Sequence, residues 1–341
     1  MRILLIAPNW IGDAVMSLSL VQALYYDPSK RQPDGSAPEI HVLAPAATAP
    51  VYRFSWQVAS VQTEPFQHGQ LQWRLRRQVG KGLRQAGYDL AIALPNSLKS
   101  ALLPWFARIP KRVGYAGELR SLFLTQALPK PSKTNKPPMV EWYGKLAGYQ
   151  TDTLPNPSMQ LSPVALFEVL SEFHLPQGYL ALAPGAEYGP AKRWPAEHFA
   201  QVARDFLTQH SDQQVAIHGG PKDVDFSNHI LQLIPAGLQD RVQVLAGKTR
   251  LEQAIGLLAG ACALVTNDSG LMHVGAAMNI PVHAVFGSSS PKHTPPLHPE
   301  AKVYYLGLEC SPCFERECPL GHTHCLVHLK PEMVTVSLLK G

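Results

Sequence analysis

Four stretches of the chain set small residues and charges directly after apolar runs, where a loop can wrap a ligand. In NWIGD (9–13), Gly12 and Asp13 lead into an amphipathic segment from Ala14 to about Tyr26. A carboxylate there can cap a helix and complement its dipole, or accept a proton. In LAPGAEYGPAKRWP (182–195), the backbone around Gly185 can approach a ligand closely while Lys192 and Arg193 supply positive charge, which suits a diphosphate. A surface loop with solvated bases is the competing reading. HGGPKDVD (218–225) follows Gly219 with Asp223 and Asp225, either able to accept from ribose hydroxyls, although helix capping explains Asp223 equally well. In VTNDSGLMHVGAA (265–277), Asp268, Ser269, Gly270 and Leu271 open a small-residue helix whose unpaired amides and dipole suit a pyrophosphate. Asp268 is a second candidate cap, and His273, one turn in, either faces the ligand or packs.

The elements that hold these loops follow from hydrophobic pattern. ILLIA (3–7), IHVLA (40–44), LAIAL (90–94), YLALA (179–183), QVAIH (214–218), VQVLA (242–246), CALVT (262–266) and VHAVF (282–286) alternate with longer amphipathic segments. Strands apolar on both faces belong in parallel sheets covered by helices, so this is a βαβ rhythm run twice. The fold class is α/β, two Rossmann-like doubly wound domains over 1–155 and 164–341, facing across a cleft. The final helix is expected on its own domain or back on the first. Between them TDTLPNPSMQLSP (151–163) has three prolines and no periodicity, as a linker would. The first βα turn lacks G-x-G-x-x-G, which argues against a dinucleotide oxidoreductase.

With 45% apolar and 16% charged residues, the chain has ample core and no sign of disorder. No apolar run approaches the roughly 18 residues that span a bilayer, and no cleavage site follows the first strand, so a cytoplasmic protein is expected. Residues 1–160 hold 18 Lys/Arg against 9 Asp/Glu, and residues 161–341 hold 12 against 16. A basic half can meet nucleic acid, an anionic membrane surface or an acidic substrate, or be merely a solvated face.

Taken together and in this order, NWIGD, PGAEYGPAKRWP and TNDSGLMHVGAA resemble the lipopolysaccharide heptosyltransferases of glycosyltransferase family 9, from Met1 to about Pro296. The resemblance implies a GT-B fold, with the acceptor on the first domain and the sugar nucleotide on the second. It implies inverting transfer of L-glycero-D-manno-heptose from ADP-heptose to the first heptose of a phosphorylated Kdo-lipid A core. It further implies Asp13 as general base, with Lys192 and the amides after Asp268 stabilising departing ADP, and no cofactor, metal or nucleic acid. The wording of NWIGDAVMS and GPAKRWP is nearer to members that add the second heptose than to those that add the first to Kdo. A sugar-nucleotide epimerase of similar fold is the alternative enzyme, and a nucleotide-sugar-binding regulator the non-enzymatic one.

Two clusters remain. Arg74, Arg76, Arg77, Lys81 and Arg84 at helical spacing read as a solvated face. Asn96, Lys99, Lys111, Arg112 and Arg120 follow the PNS turn after a strand, and are the expected acceptor contacts, Arg–phosphate pairs among them, with weak electrostatic contact to the inner leaflet of the inner membrane. In the tail, Cys310, Cys313, Cys318 and Cys325 give C-x2-C-x4-C-x6-C beside His322 and His324. Four thiolates can bind zinc, but this is not the spacing of a standard ribbon, so a thiol-rich loop is the default.

Overall fold

The computed structural model describes residues 1–67, 69–131, 136–150 and 153–339. The chain divides into two compact units, Met1–Gln160 and Leu161–Gly341. The division falls inside the proline-rich stretch 151–163, of which Thr151 and Asp152 lie outside the described residues.

The first unit is built on β1 (Arg2–Ile6), β2 (Glu39–Ala44), β3 (Val58–Thr63), β4 (Leu90–Ala93), β5 (Lys111–Tyr115) and β6 (Gln126–Leu128). They form one sheet in the order β3-β2-β1-β4-β5-β6, every pairing parallel. The second unit has β7 (Tyr179–Ala183), β8 (Val215–Ile217), β9 (Val242–Val244), β10 (Ala261–Asn267), β11 (Val282–Val285) and β12 (Lys302–Tyr304). Their order is β12-β11-β10-β7-β8-β9, again all parallel. Counted from its own first strand, each sheet has the doubly wound order 3-2-1-4-5-6.

All eight apolar runs are strands. Central strands lie between helices on both faces, so RILLI, LAIA and YLALA are buried almost throughout. The four strands not anticipated, β3, β5, β6 and β12, carry polar residues: VASVQT, QAL and KVY are largely exposed and lie at sheet edges, and KRVGY starts with two bases.

The second unit's core joins Leu180, Leu182, Val215 and Ile217 to Phe199, Val202 and Phe206 of the helix Ala196–Gln209. The last helix, Pro331–Leu338, packs on Ala196–Gln209 and enters the same core through Val334.

Candidate active site

Parallel strands all point their carboxyl ends one way, and a crevice opens where the strand order reverses, since successive connections there leave toward opposite faces. That reversal lies between β7 and β10 in the second unit and between β1 and β4 in the first. The loops singled out above leave from those strands.

In the second unit, Asn267 ends β10 fully buried and stitches the loops together. Its Nδ2 donates to the Pro184 carbonyl at 2.6 Å, and its Oδ1 accepts from the Trp194 amide at 3.0 Å. Trp194 is itself wholly buried and donates its indole N–H to the Leu329 carbonyl at 2.8 Å. Between these anchors the Lys192 ammonium donates to Asp268 Oδ2 at 2.5 Å and lies 5.0 Å from the Tyr188 ring centroid. Asp268, a candidate cap by its sequence, is not one. Ser269 occupies the N-cap of the helix Gly270–Ala277 and makes no side-chain cap bond. First-turn amides have no partner within a helix, so those at Gly270 and Leu271 are available to an anion beside Lys192.

His273 packs: it is 5% exposed, and burial pushes its imidazole down to about 4, Lys192 adding to the shift and Asp268 opposing it. It is neutral at neutral pH.

Asp223 caps the short turn Pro221–Asp223 rather than the helix after it. It sits at the N-cap of Val224–Leu233 without capping it; its carboxylate turns back to accept from the Gly220 amide at 3.0 Å and from Arg193 Nη2 at 3.3 Å. A Cβ on Gly185 would lie 2.5 Å from Asp223 Oδ2, and one on Gly219 would lie 2.8 Å from Asp223 Cβ. Close approach of the Asp223 side chain is therefore sufficient reason for both glycines. Asp225 is exposed.

In the first unit, Gly12 and Asp13 are the second and third residues of the helix Ile11–Tyr26, which starts earlier than Ala14. Asp13 is half-buried, and its charge acts on the phenols of buried Tyr52 and Tyr143, both raised chiefly by burial. At the same end of the sheet lies a cavity of ≈ 210 Å³ whose lining includes Asn9, Glu64, Arg76, Ser97 and Lys99. Burial raises the Glu64 carboxyl while Arg76 pulls it back. Arg76 is not on a solvated face, unlike exposed Arg74, Arg77, Lys81 and Arg84: it is 6% exposed, donates Nε to the Leu71 carbonyl at 2.7 Å and stacks 3.9 Å from the Phe66 centroid.

Three of the expected acceptor residues are placed otherwise. Lys111 opens β5 opposite Leu90, the first residue of β4, so Lys111 and Arg112 sit at the amino end of the sheet, away from Asp13. Arg112 is spent on the Phe123 and Ile109 carbonyls, at 2.7 and 2.6 Å. Arg120 has no exposed surface; it donates Nη1 to the Pro95 carbonyl at 2.6 Å and Nη2 to the Ala93 carbonyl at 3.4 Å. Burial lowers its guanidinium to about 10, with Glu118 opposing. It braces the loop after β4, reaching Asn96 Oδ1 at 3.4 Å. Asn96 and Lys99 alone of this group lie in the loop and helix start following β4 with access to solvent.

The model of glycosyltransferase family 9 (heptosyltransferase) matches residues 76–324. The chain belongs to glycosyltransferase family 9. It is 37% identical to lipooligosaccharide heptosyltransferase 2 of Haemophilus influenzae, over 99% of this chain and 98% of the relative. To lipopolysaccharide heptosyltransferase 2 of Salmonella typhimurium it is 38% identical, over 99% of this chain and 97% of the relative. The solved structure of ADP-heptose LPS heptosyltransferase II from Escherichia coli superposes with a TM-score of 0.85 at 36% identity, covering 100% of this chain and 98% of that one. The chain is thus a GT-B heptosyltransferase of the lipopolysaccharide inner core, and the epimerase and regulator alternatives are set aside. In this family 9 enzyme, sequence reasoning missed Asn267 and Trp194 as loop anchors, and Glu64 and Arg76 as cavity walls. A bare Asn at a strand end inside TNDSG was the available signal for the first.

Proposed function

We propose that the enzyme moves L-glycero-D-manno-heptose from ADP-heptose to the first heptose of a phosphorylated Kdo-lipid A core, inverting the anomeric centre. The second unit holds the donor. The observation that carries this is the pairing of Lys192 with Asp268, two residues before the helix Gly270–Ala277, at the strand-order reversal. An ammonium has three donors, and Asp268 takes one, so Lys192 is held in place with two left for diphosphate oxygens. As the bond to ADP breaks, charge gathers on the diphosphate, and fixed donors stabilise it most at that moment.

The first unit takes the acceptor. A sugar hydroxyl is a poor nucleophile, and Asp13, at the carboxyl end of β1, accepts its proton as the new bond forms, an effect of about 10²–10⁴ in rate. Lys99 and Asn96 stand at the same sheet end for the acceptor's polar groups, and Glu64 and Arg76 wall the cavity there. Among the described residues no helix is long and apolar enough to cross a membrane. Contact with an anionic leaflet therefore rests on the basic excess of residues 1–160, without Arg112 or Arg120.

The test is product formation from ADP-heptose with and without heptosylated Kdo-lipid A. Asp13→Asn should abolish most turnover while ADP affinity holds. An unchanged kcat in that variant removes Asp13 from the mechanism.

A further inference from the structure

We infer that Cys310, Cys313, Cys318 and Cys325 form a four-thiolate site for a thiophilic divalent cation, zinc or iron, which fastens the loop carrying Lys192. The functional half of this inference rests on the donor reading above; the metal half does not.

From Tyr305 to Thr323 the chain has neither helix nor strand, and Phe314 and Leu320 are 42% and 59% exposed. So long an irregular loop is uncommon in a compact domain, and this one contributes little apolar burial to hold its shape. Its four cysteines nevertheless line one small cavity of ≈ 20 Å³. That is room for about one water-sized sphere, the space a single ion would take. The turn after Cys318 closes on itself, the Gly321 amide donating to the Cys318 carbonyl at 3.0 Å.

As placed, no group of side chains among the described residues is ready to hold an ion. Sulfurs in contact with a water-sized sphere stand about 1 Å farther from its centre than the roughly 2.3 Å of a metal–thiolate bond, so ligation requires them to close inward. Each thiol releases its proton as it binds. A sulfur-only ligand set selects zinc or iron over magnesium or calcium.

The loop is tied directly to the donor side. The Ala191 amide, next to Lys192, donates to the Arg316 carbonyl at 3.0 Å, and Tyr188 donates its hydroxyl to the Phe314 carbonyl at 2.6 Å. The Phe314 amide donates to the Ser288 carbonyl at 2.7 Å, and a Cβ on Gly189 would collide with the Arg316 carbonyl oxygen. Whatever fixes residues 310–325 therefore fixes the backbone that aims Lys192.

Elemental analysis of the full-length enzyme, purified without a metal-affinity step, should find about one zinc or iron per chain. Cys318→Ser and Cys325→Ser should each lose it. Should those variants fail to fold, cobalt added to the chelator-treated parent protein reports instead, through thiolate-to-cobalt absorption. A purified protein that holds no metal and shows no such absorption overturns the site. For the fastening role, the metal-free enzyme should bind ADP at least 10-fold more weakly by calorimetry, with recovery on adding zinc or iron. Unchanged ADP affinity without metal overturns that role. A metal-loaded enzyme that does not bind ADP overturns the donor reading and leaves the metal site standing.

Discussion

The Lys192–Asp268 pair can be taken apart so that its structural and catalytic parts separate. Asp268 is 7% exposed, and Lys192 reaches it at 2.5 Å with its own side chain 17% exposed. Lys192→Ala leaves a carboxylate buried without its counter-ion, which costs about 3–5 kcal/mol when the pair is fully dry. Because the Lys192 end touches solvent, the lower figure applies, about 3 kcal/mol. For the unit Leu161–Gly341 each kcal/mol moves Tm by about 2–4 °C, so calorimetry should show a fall of roughly 6–12 °C. Loss of one charge-assisted donor to the departing diphosphate should also lower kcat by about 10²–10³. Adding Asp268→Asn removes the stranded charge. The double variant should regain most of the Tm and none of the turnover. Turnover recovered along with stability would mean that Lys192 serves only to neutralise Asp268, and the proposed diphosphate contact would fail. A single variant as stable as the parent would equally refute the burial argument.

Burial pushes His218, His273 and His283, all in the second unit, from 6.5 down to about 4. The unfolded chain therefore binds these protons first, so stability is complete above about pH 6.5 and falls as pH drops toward 4, by up to about 1.4 kcal/mol per pH unit per histidine. Proton uptake on unfolding near pH 5, from the pH dependence of denaturant midpoints, should approach about three; an uptake below one would contradict the burial. Arg120→Ala should destabilise the first unit by roughly 2–4 kcal/mol in denaturant, because the Pro95 and Ala93 carbonyls lose the Arg120 donors and Pro95 keeps only the Ser100 hydroxyl. Wild-type stability with weakened acceptor binding would restore Arg120 to the acceptor surface.

How much of this was legible depends on where each residue lies in its sheet. Strands such as YLALA are apolar on both faces because helices cover both, and that pattern survives in a single sequence. Edge strands satisfy one neighbour and face water, so VASVQT and KVY carry no such mark. The oversight propagated into function. With β5 unseen, Lys111 and Arg112 read as loop residues beyond a turn, when they open a strand and so lie at its amino end. With β3 unseen, Glu64, the residue just after it, could not be placed at the carboxyl end, where the cavity is. The loops after β7 and β10 were legible because their strands were.

Counting charges overstated the anion-binding capacity of the first unit. Its excess of Lys and Arg over Asp and Glu is real, yet Arg76, Arg112 and Arg120 spend their guanidinium groups on backbone carbonyls that the fold leaves without amide partners. An arginine has five donors in a rigid fork, so burying one to tie off several carbonyls is a structural use that composition cannot distinguish from phosphate recognition. The second unit makes the same point in reverse: it is net acidic, yet Asp268 and Asp223 are engaged with Lys192 and Arg193. A negative sum therefore does not argue against a diphosphate site. What decides the matter is the end of the sheet on which a charge stands and whether donors remain to it. By that test Lys192 keeps two donors at a strand-order reversal and Lys99 lines the cavity at the other, while Lys111, though exposed, is at the wrong end.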